Sequence, residues 1–243
     1  MAIPSFYCPE LNSALFESDA PLITLSKNES AHAVKSRRLR QGQEVNLLNG
    51  QGGFGKGSII VVDKRAVEIR LTSFQQSPKN SSSITIATAI PKGDRQKVMI
   101  DMLTQLGVSR VIPLNCEHSV TRYSNNLALK WERTAIEACK QSQNPWLPTI
   151  SSAQNIEQLL KSESSELAYA DASGESIELL GRSLFQDKAA NLTVLIGPEG
   201  GFSDNEIKLM AEQKCLPIKL GDFILRTESA AITTVSQFLL FNR

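Results

Sequence analysis

Apolar and polar positions follow two different rhythms along this chain. In residues 44–72 the spacing is that of β structure: Glu44–Leu48 and Ser58–Val62 are predicted strands, and Ala66–Leu71 alternates apolar with polar residues. Asn49-Gly50 marks a tight turn where the first strand ends. Short strands and turns with little helix predict a small β-barrel. The stretch Gln75-Gln76-Ser77-Pro78-Lys79-Asn80-Ser81-Ser82-Ser83 is polar, has no period, and is predicted to be a linker. Beyond it, strands and helices alternate. Strands are expected at Ile84–Ile90, Val111–Leu114, Glu166–Ala170, Leu192–Ile196 and Ile218–Leu220. Helices are expected over Arg95–Leu106, stopped by Gly107, then near Asn126–Gln141, over Ser203–Lys214 and over Glu228–Phe241. Such alternation predicts an α/β fold with a mostly parallel sheet, which binds ligands in loops beyond the carboxyl ends of its strands.

Composition narrows the class. With 243 residues and 41% hydrophobic content, the chain has material for one or two domains. No apolar run exceeds four residues, as at Ile59–Val62, so a membrane-spanning helix is excluded. Met1-Ala2-Ile3-Pro4 has neither the basic start nor the apolar stretch of a signal peptide. Cys8, Cys116, Cys139 and Cys215 lie far apart, no CxxC pair occurs, and there are only two histidines. No metal site or disulfide framework is therefore expected, and a soluble protein of a reducing compartment, the cytoplasm, is.

A net charge of +1 is not that of a generally basic nucleic-acid binder, but the charge is unevenly spread. Lys35, Arg37, Arg38 and Arg40 fall within six residues, and no acid lies between Ser30 and Gln43. This patch is either a solvated helix face or a surface suited to phosphates. Gly50-Gln51-Gly52-Gly53-Phe54-Gly55 formally satisfies GxGxxG. That motif works by opening a helix onto phosphate, whereas Ser58-Ile59-Ile60-Val61-Val62 that follow are β-forming. A glycine-rich hairpin is the better reading, and a dinucleotide oxidoreductase loses its only support.

Two segments carry candidate chemistry. In Leu195–Glu206 a strand ends in Gly197-Pro198-Glu199-Gly200-Gly201, and Ser203 with Glu206 forms a capping box that starts a helix. Glycines let a ligand lie against bare backbone. No Lys or Arg occurs between Asn191 and Ile207, so a neutral or cationic ligand suits this loop better than a phosphate. An ordinary tight turn is the plainer alternative. In Leu220–Ala231 a strand again leads through a loop to a helix, with Thr227 a candidate N-cap. Arg226 precedes an apolar helix and is expected to meet a carboxylate, such as Glu228, or a bound anion.

Together, Leu195–Glu206 and Leu220–Ala230 resemble the paired C-terminal signatures of the ribosomal RNA small subunit methyltransferase E family, among the SPOUT methyltransferases. The resemblance continues through Ala89–Arg95, Leu106-Gly107-Val108, Pro113 and Ala138-Cys139-Lys140-Gln141, and includes His32, Arg38, Gly42 and Asn49-Gly50. It implies a PUA-like RNA-binding barrel over residues 1–74, a linker over 75–83, and a SPOUT domain with a C-terminal trefoil knot over 84–243. It also implies a homodimer that uses S-adenosylmethionine to methylate uridine N3 in 16S rRNA of the small ribosomal subunit. Carried onto this chain, the cofactor-binding residues are Ile196, Gly197, Glu199, Gly200, Gly201, Leu220, Gly221, Ile224, Leu225, Arg226 and Thr227. Arg226 and Glu228 are the implied catalytic pair, and Lys92 and Arg95 join the basic patch in gripping RNA. The chain departs from the family pattern at Met102, Gln105, His118 and Asn144. The alternative reading is a non-catalytic RNA-binding protein that keeps the fold.

Overall fold

The computed structural model describes residues 3–176 and 191–241. Its chain divides into two compact units, one of Met1–Lys79 with Ile136–Leu147, the other of Asn80–Ala135 with Pro148–Arg243.

In the first unit, strands β1 (Ser5–Tyr7), β2 (Leu22–Thr24), β3 (Glu44–Leu48), β4 (Gly53–Val61) and β5 (Glu68–Gln76) form one sheet in the order β1-β3-β4-β5-β2. β1 runs parallel to β3, and the other pairs are antiparallel. Two register shifts within the β4–β5 pair are irregularities of the kind that bend a strand, in keeping with a strongly curled sheet. One face buries Val45, Leu47, Ile59, Ile69 and Leu71 around Phe6 and Leu11. The glycine-rich stretch after Asn49 is the turn of the β3–β4 hairpin, where the Asn49 side chain accepts from Gly53 N–H at 2.8 Å. No helix follows it, so the dinucleotide motif has no structural basis. A short helix α1 (Lys27–Ala31) continues into a π-helical turn over His32–Ser36.

Residues 136–147 join this unit through backbone and side chain alike. Gly52 N–H donates to Pro145 O at 2.9 Å, and Leu147 N–H to Gly50 O at 3.0 Å. Gly50 has a φ of +74°, and a Cβ there would lie 3.0 Å from Leu147 Cβ. The buried Lys140 ammonium meets Glu29 at 2.8 Å and Glu137 at 2.6 Å.

The second unit is built on a six-stranded sheet of β6 (Ser83–Ala89), β7 (Arg110–Leu114), β8 (Thr149–Ile150), β9 (Glu166–Ser176), β10 (Asn191–Ile196) and β11 (Leu216–Lys219). Its order is β11-β9-β10-β6-β7-β8, and every pair is parallel. Leu192–Ile196 in β10 and Ile84–Ala89 in β6 are buried throughout, as strands covered on both faces must be. The helices are α2 (Arg95–Gln105), α3 (Asn125–Ser142), α4 (Ile156–Ser162), α5 (Asp204–Glu212) and α6 (Thr227–Phe241). Leu159 of α4 and Met210 of α5 pack into a core with Ile112, Leu114 and Leu195. α6 packs on α2 and against β6 and β10.

The predicted alternation is present, with differences at the ends of elements. β5 continues to Gln76 because Gln75 and Gln76 pair with Phe54 and Gly53, inside the stretch predicted to be structureless. β6 begins at Ser83, opposite Asn191, so the irregular connection covers only residues 77–82. β9 continues six residues past the predicted Ala170, pairing with β11 across a register shift. The four cysteines are free and buried.

Candidate active site

Loops from the carboxyl ends of β6, β7, β10 and β11 contribute to one region of the second unit. After β10, Gly201 N–H donates to Pro198 O at 2.9 Å and closes a turn. Gly201 has a φ of +74°, a conformation that favours glycine. Ser203 then caps α5, and Glu206 returns one carboxylate oxygen to Ser203 N–H at 2.9 Å, completing the predicted capping box. The other Glu206 oxygen accepts from Glu117 N–H at 3.0 Å. That single buried carboxylate therefore ties the β7 loop to the glycine loop. His118 Nδ1 lies 3.2 Å from Gly201 O beside it.

The segment after β11 is held at both ends. Gln237 of α6 donates to Leu220 O at 3.0 Å, and Thr227 Oγ1 donates to Gly197 O at 3.1 Å. The second bond joins the two segments singled out by sequence. Between these ties the chain is open: Phe223 and Ile224 are 87% and 95% exposed, too much for ordinary core side chains. A cleft of about 260 Å³ is lined by Leu220, Gly221, Ile224 and Leu225, together with Ala170 and Ile218.

From the loop after β6, Arg95 at the start of α2 reaches both segments. Its Nη1 is 3.4 Å from Glu199 Oε1 and 3.8 Å from Glu228 Oε2. Glu228 is only 8% exposed, and Oε2 is buried without a hydrogen-bond partner among the described residues. At 3.8 Å the arginine offers charge without a hydrogen bond. A buried carboxylate in that condition has unused capacity for a donor.

Several predicted placements need correction. Arg226 is exposed and makes no ion pair with Glu228 or any other acid among the described residues, which leaves the bound-anion alternative standing. The expectation rested on burial beside an apolar helix; the chain buries Thr227 there instead. Nor is Thr227 the N-cap: it is the first residue of α6, its hydroxyl is spent on Gly197 O, and Arg226 O accepts the Ala230 N–H. Arg95, expected among the RNA-gripping residues, sits between two carboxylates, a placement that leaves that expectation standing. In the first unit, Lys35, Arg37, Arg38 and Arg40 are all exposed, and Arg38 adopts a φ of +53° as the chain leaves the π-helical turn. Lys92 is exposed as well.

The departures from the family pattern have local partners. Gln105 donates to Asp101 at 2.9 Å, the Asn144 side chain accepts from Trp146 N–H at 3.0 Å, and Met102 is exposed. Sequence reasoning missed the bridging position of Arg95 and the second bond of Glu206. The capping box accounts for only one Glu206 oxygen, and no local signal reveals the other.

This fold and loop arrangement is shared with known proteins. A family model described as an RNA methyltransferase domain matches residues 78–239, and one described as an RNA methyltransferase PUA domain matches residues 25–72. The class is therefore that of RNA methyltransferases with a PUA domain ahead of the catalytic one. A ribosomal RNA small subunit methyltransferase E of Rickettsia conorii is 33% identical over 235 residues, 95% of this chain and 93% of that one. The Bacillus subtilis protein of the same name is 27% identical, covering 95% of this chain and 94% of its own. The present chain belongs to the ribosomal RNA small subunit methyltransferase E family. Among solved structures, a Legionella pneumophila protein described as a methyltransferase, in complex with S-adenosylmethionine, is 27% identical with a TM-score of 0.87, covering 99% of this chain and 98% of its own. A Neisseria gonorrhoeae family member bound to S-adenosylmethionine shares the fold at 22% identity and a TM-score of 0.86, with 98% of each chain covered.

Proposed function

We propose that this protein methylates N3 of one uridine in 16S rRNA of the small ribosomal subunit, with S-adenosylmethionine as donor, as a cytoplasmic homodimer with a C-terminal trefoil knot. The observation that carries the reading is the Thr227–Gly197 bond, which joins the cation-free glycine loop to the segment holding buried Glu228 and exposed Arg226. The residues present suit the donor. A loop lacking Lys and Arg, a carboxylate with an unpartnered buried oxygen, and a cleft whose apolar wall also carries Asp171 and the Lys219–Asp222 pair favour a cationic, adenosine-bearing ligand over a phosphate-rich one. Backbone at Ile196, Gly197, Gly200, Gly201, Leu220, Gly221, Ile224 and Leu225 would hold it, with Glu199 and Thr227 alongside. When bound, it supplies a methyl on a sulfonium, which is both electrophile and leaving group.

The chain's own residues do the rest. They must hold the uracil in line and remove its imide proton. Glu228 accepts that proton on its unpartnered oxygen, with the Arg95 guanidinium 3.8 Å away. Negative charge then spreads onto the flanking uracil carbonyl oxygens, and Arg226, unpaired among the described residues, neutralises it. Lys35, Arg37, Arg38, Arg40 and Lys92 grip rRNA phosphates. Homodimer formation is supported by Val98 and Met102 of α2 and Leu240 of α6, apolar side chains left exposed on two helices that pack on each other.

The test is to incubate the protein with labelled S-adenosylmethionine and small subunits lacking the modification, then map the product by reverse transcription. A methyl on N3 blocks Watson–Crick pairing and stops the polymerase. One strong stop requiring both protein and donor is expected. Donor binding without any stop would remove uridine N3 from the reading.

A further inference from the structure

On α4 Lys161 is paired with Glu157, and on α3 Lys140 is paired with Glu137. One cleft in the second unit is different. It has a volume of about 660 Å³ and lies where the first turn of α2, residues 121–124 and the first half of α3 face one another. Four cations line it: Lys97 from α2, Arg122 from the connecting loop, and Lys130 and Arg133 from α3. All four are exposed, and none makes an ion pair among the described residues. Asp94 is the lone acid on the wall. Like charges three residues apart on a helix, such as Lys130 and Arg133, repel unless an anion lies between them. A concave surface with this excess concentrates anions from solution.

We propose that this cleft grips the phosphodiester backbone of the RNA strand that carries the target base, a site separate from the basic patch of the first unit. The inference rests on the RNA-methyltransferase reading above. The cleft's chemistry favours backbone over base. Its one aromatic, Trp131, is 2% exposed, and the indole N–H is turned to Gln96 Oε1 at 3.4 Å. No ring face is free for a base to stack on, so the cleft positions a strand without reading its sequence. Its location fits that task. Gly93 and Asp94 on its wall immediately precede Arg95, which contacts both acids of the active site. A strand held here by its phosphates would lie on the same loop that carries Arg95 to those acids.

The experiment compares three proteins binding purified small subunits over a range of salt. They are the wild type, a cleft variant (K97Q, R122Q, K130Q, R133Q) and a first-unit variant (K35Q, R37Q, R38Q, R40Q). Each phosphate contact contributes about 0.7–0.9 to the slope of log affinity against log salt, so the cleft variant, with four cations removed, should lose about 3–3.5 of that slope. Its affinity for S-adenosylmethionine should be unchanged, and R122K with R133K should keep the wild-type slope because charge, not shape, carries the grip. If the cleft variant keeps the wild-type slope while the first-unit variant loses it, the cleft assignment is wrong and the RNA reading survives. If the wild type itself shows no salt-dependent binding, both fall together. Should the fourfold variant lose its donor affinity through misfolding, the single variant K130Q decides: a slope drop of about 0.7–0.9 supports the cleft, and no drop overturns it.

Discussion

Glu228 and Arg226 stand two residues apart and meet opposite conditions. One is a carboxylate buried without a full set of donors; the other is a guanidinium in open solvent. The proposed division of labour, proton acceptor and charge stabiliser, predicts different failures. Arg226→Ala should lower turnover by about 10²–10³-fold while donor affinity holds, because the charge it meets exists only during reaction. Glu228→Gln should lower turnover by about 10²–10⁴-fold, measured on small subunits at saturating donor. Unchanged turnover in either variant removes that residue from the mechanism. The cysteines supply a different prediction. Burial pushes the Cys8, Cys116 and Cys139 thiols up to about 12 and Cys215 to about 11, from an ordinary 9.0. Below pH 9 both folded and unfolded chains keep these protons. From pH 9 towards about 12 only the unfolded chain sheds them, so stability falls through that window. Melting temperature measured across it should decline steadily. A thiol-specific reagent at neutral pH should label no cysteine until the protein unfolds.

At the scale of elements, the helix that follows the glycine loop illustrates what local sequence can specify. Ser203 and Glu206 predicted its start, and the structure places both in a reciprocal cap. Ser203→Ala should cost about 1 kcal/mol by chemical denaturation. Glu206→Ala should cost more than the cap alone, since it also frees the Glu117 N–H in the β7 loop. Equal losses in the two variants would mean that the tie between the loops carries no weight. The long apolar strands β6 and β10 were legible for the same local reason: continuous burial demands a continuous apolar run. β1, β2 and β8 span two or three residues each, too few to set up a period, and their pairing partners are distant in sequence. α4 escaped notice too, although Asn155 and Gln158 form a capping box at the start of its seven residues. In the candidate site, the glycine loop and the segment around Arg226 were visible as motifs. Arg95 was not visible as their bridge, because an ion pair between residues a hundred positions apart leaves no local trace.

For the whole molecule, the informative feature is that the N-terminal unit is discontinuous. Lys140 lies far along the chain, yet its buried ammonium is compensated by Glu29. Lys140→Ala should destabilise the protein by about 3–5 kcal/mol by stranding that carboxylate, whereas replacing both partners with apolar residues should recover much of the loss. Equilibrium unfolding of the single and double variants checks this. The proposed dimer makes a further prediction: Val98→Asp should shift the protein towards monomer in sedimentation, and an unmoved distribution would exclude α2 from the interface. Sequence periodicity could not assign residues 136–147 to the first unit, since their helix reads as one more α segment of the second.

That discontinuity also governs how the protein is made. A ribosome that has finished residue 79 has delivered every strand of the first sheet but not the segment ending at Leu147 that completes the unit. At about 5–20 residues per second, that segment arrives several seconds later. Until then Gly50 O, Gly52 N–H and the Glu29 carboxylate lack the partners they have in the finished protein. The RNA-binding half is thus the first to be synthesised, yet it cannot mature until the catalytic half is well under way. A nascent chain stalled short of this point carries an unfinished binding surface, a built-in delay between the birth of the module and its readiness to engage RNA.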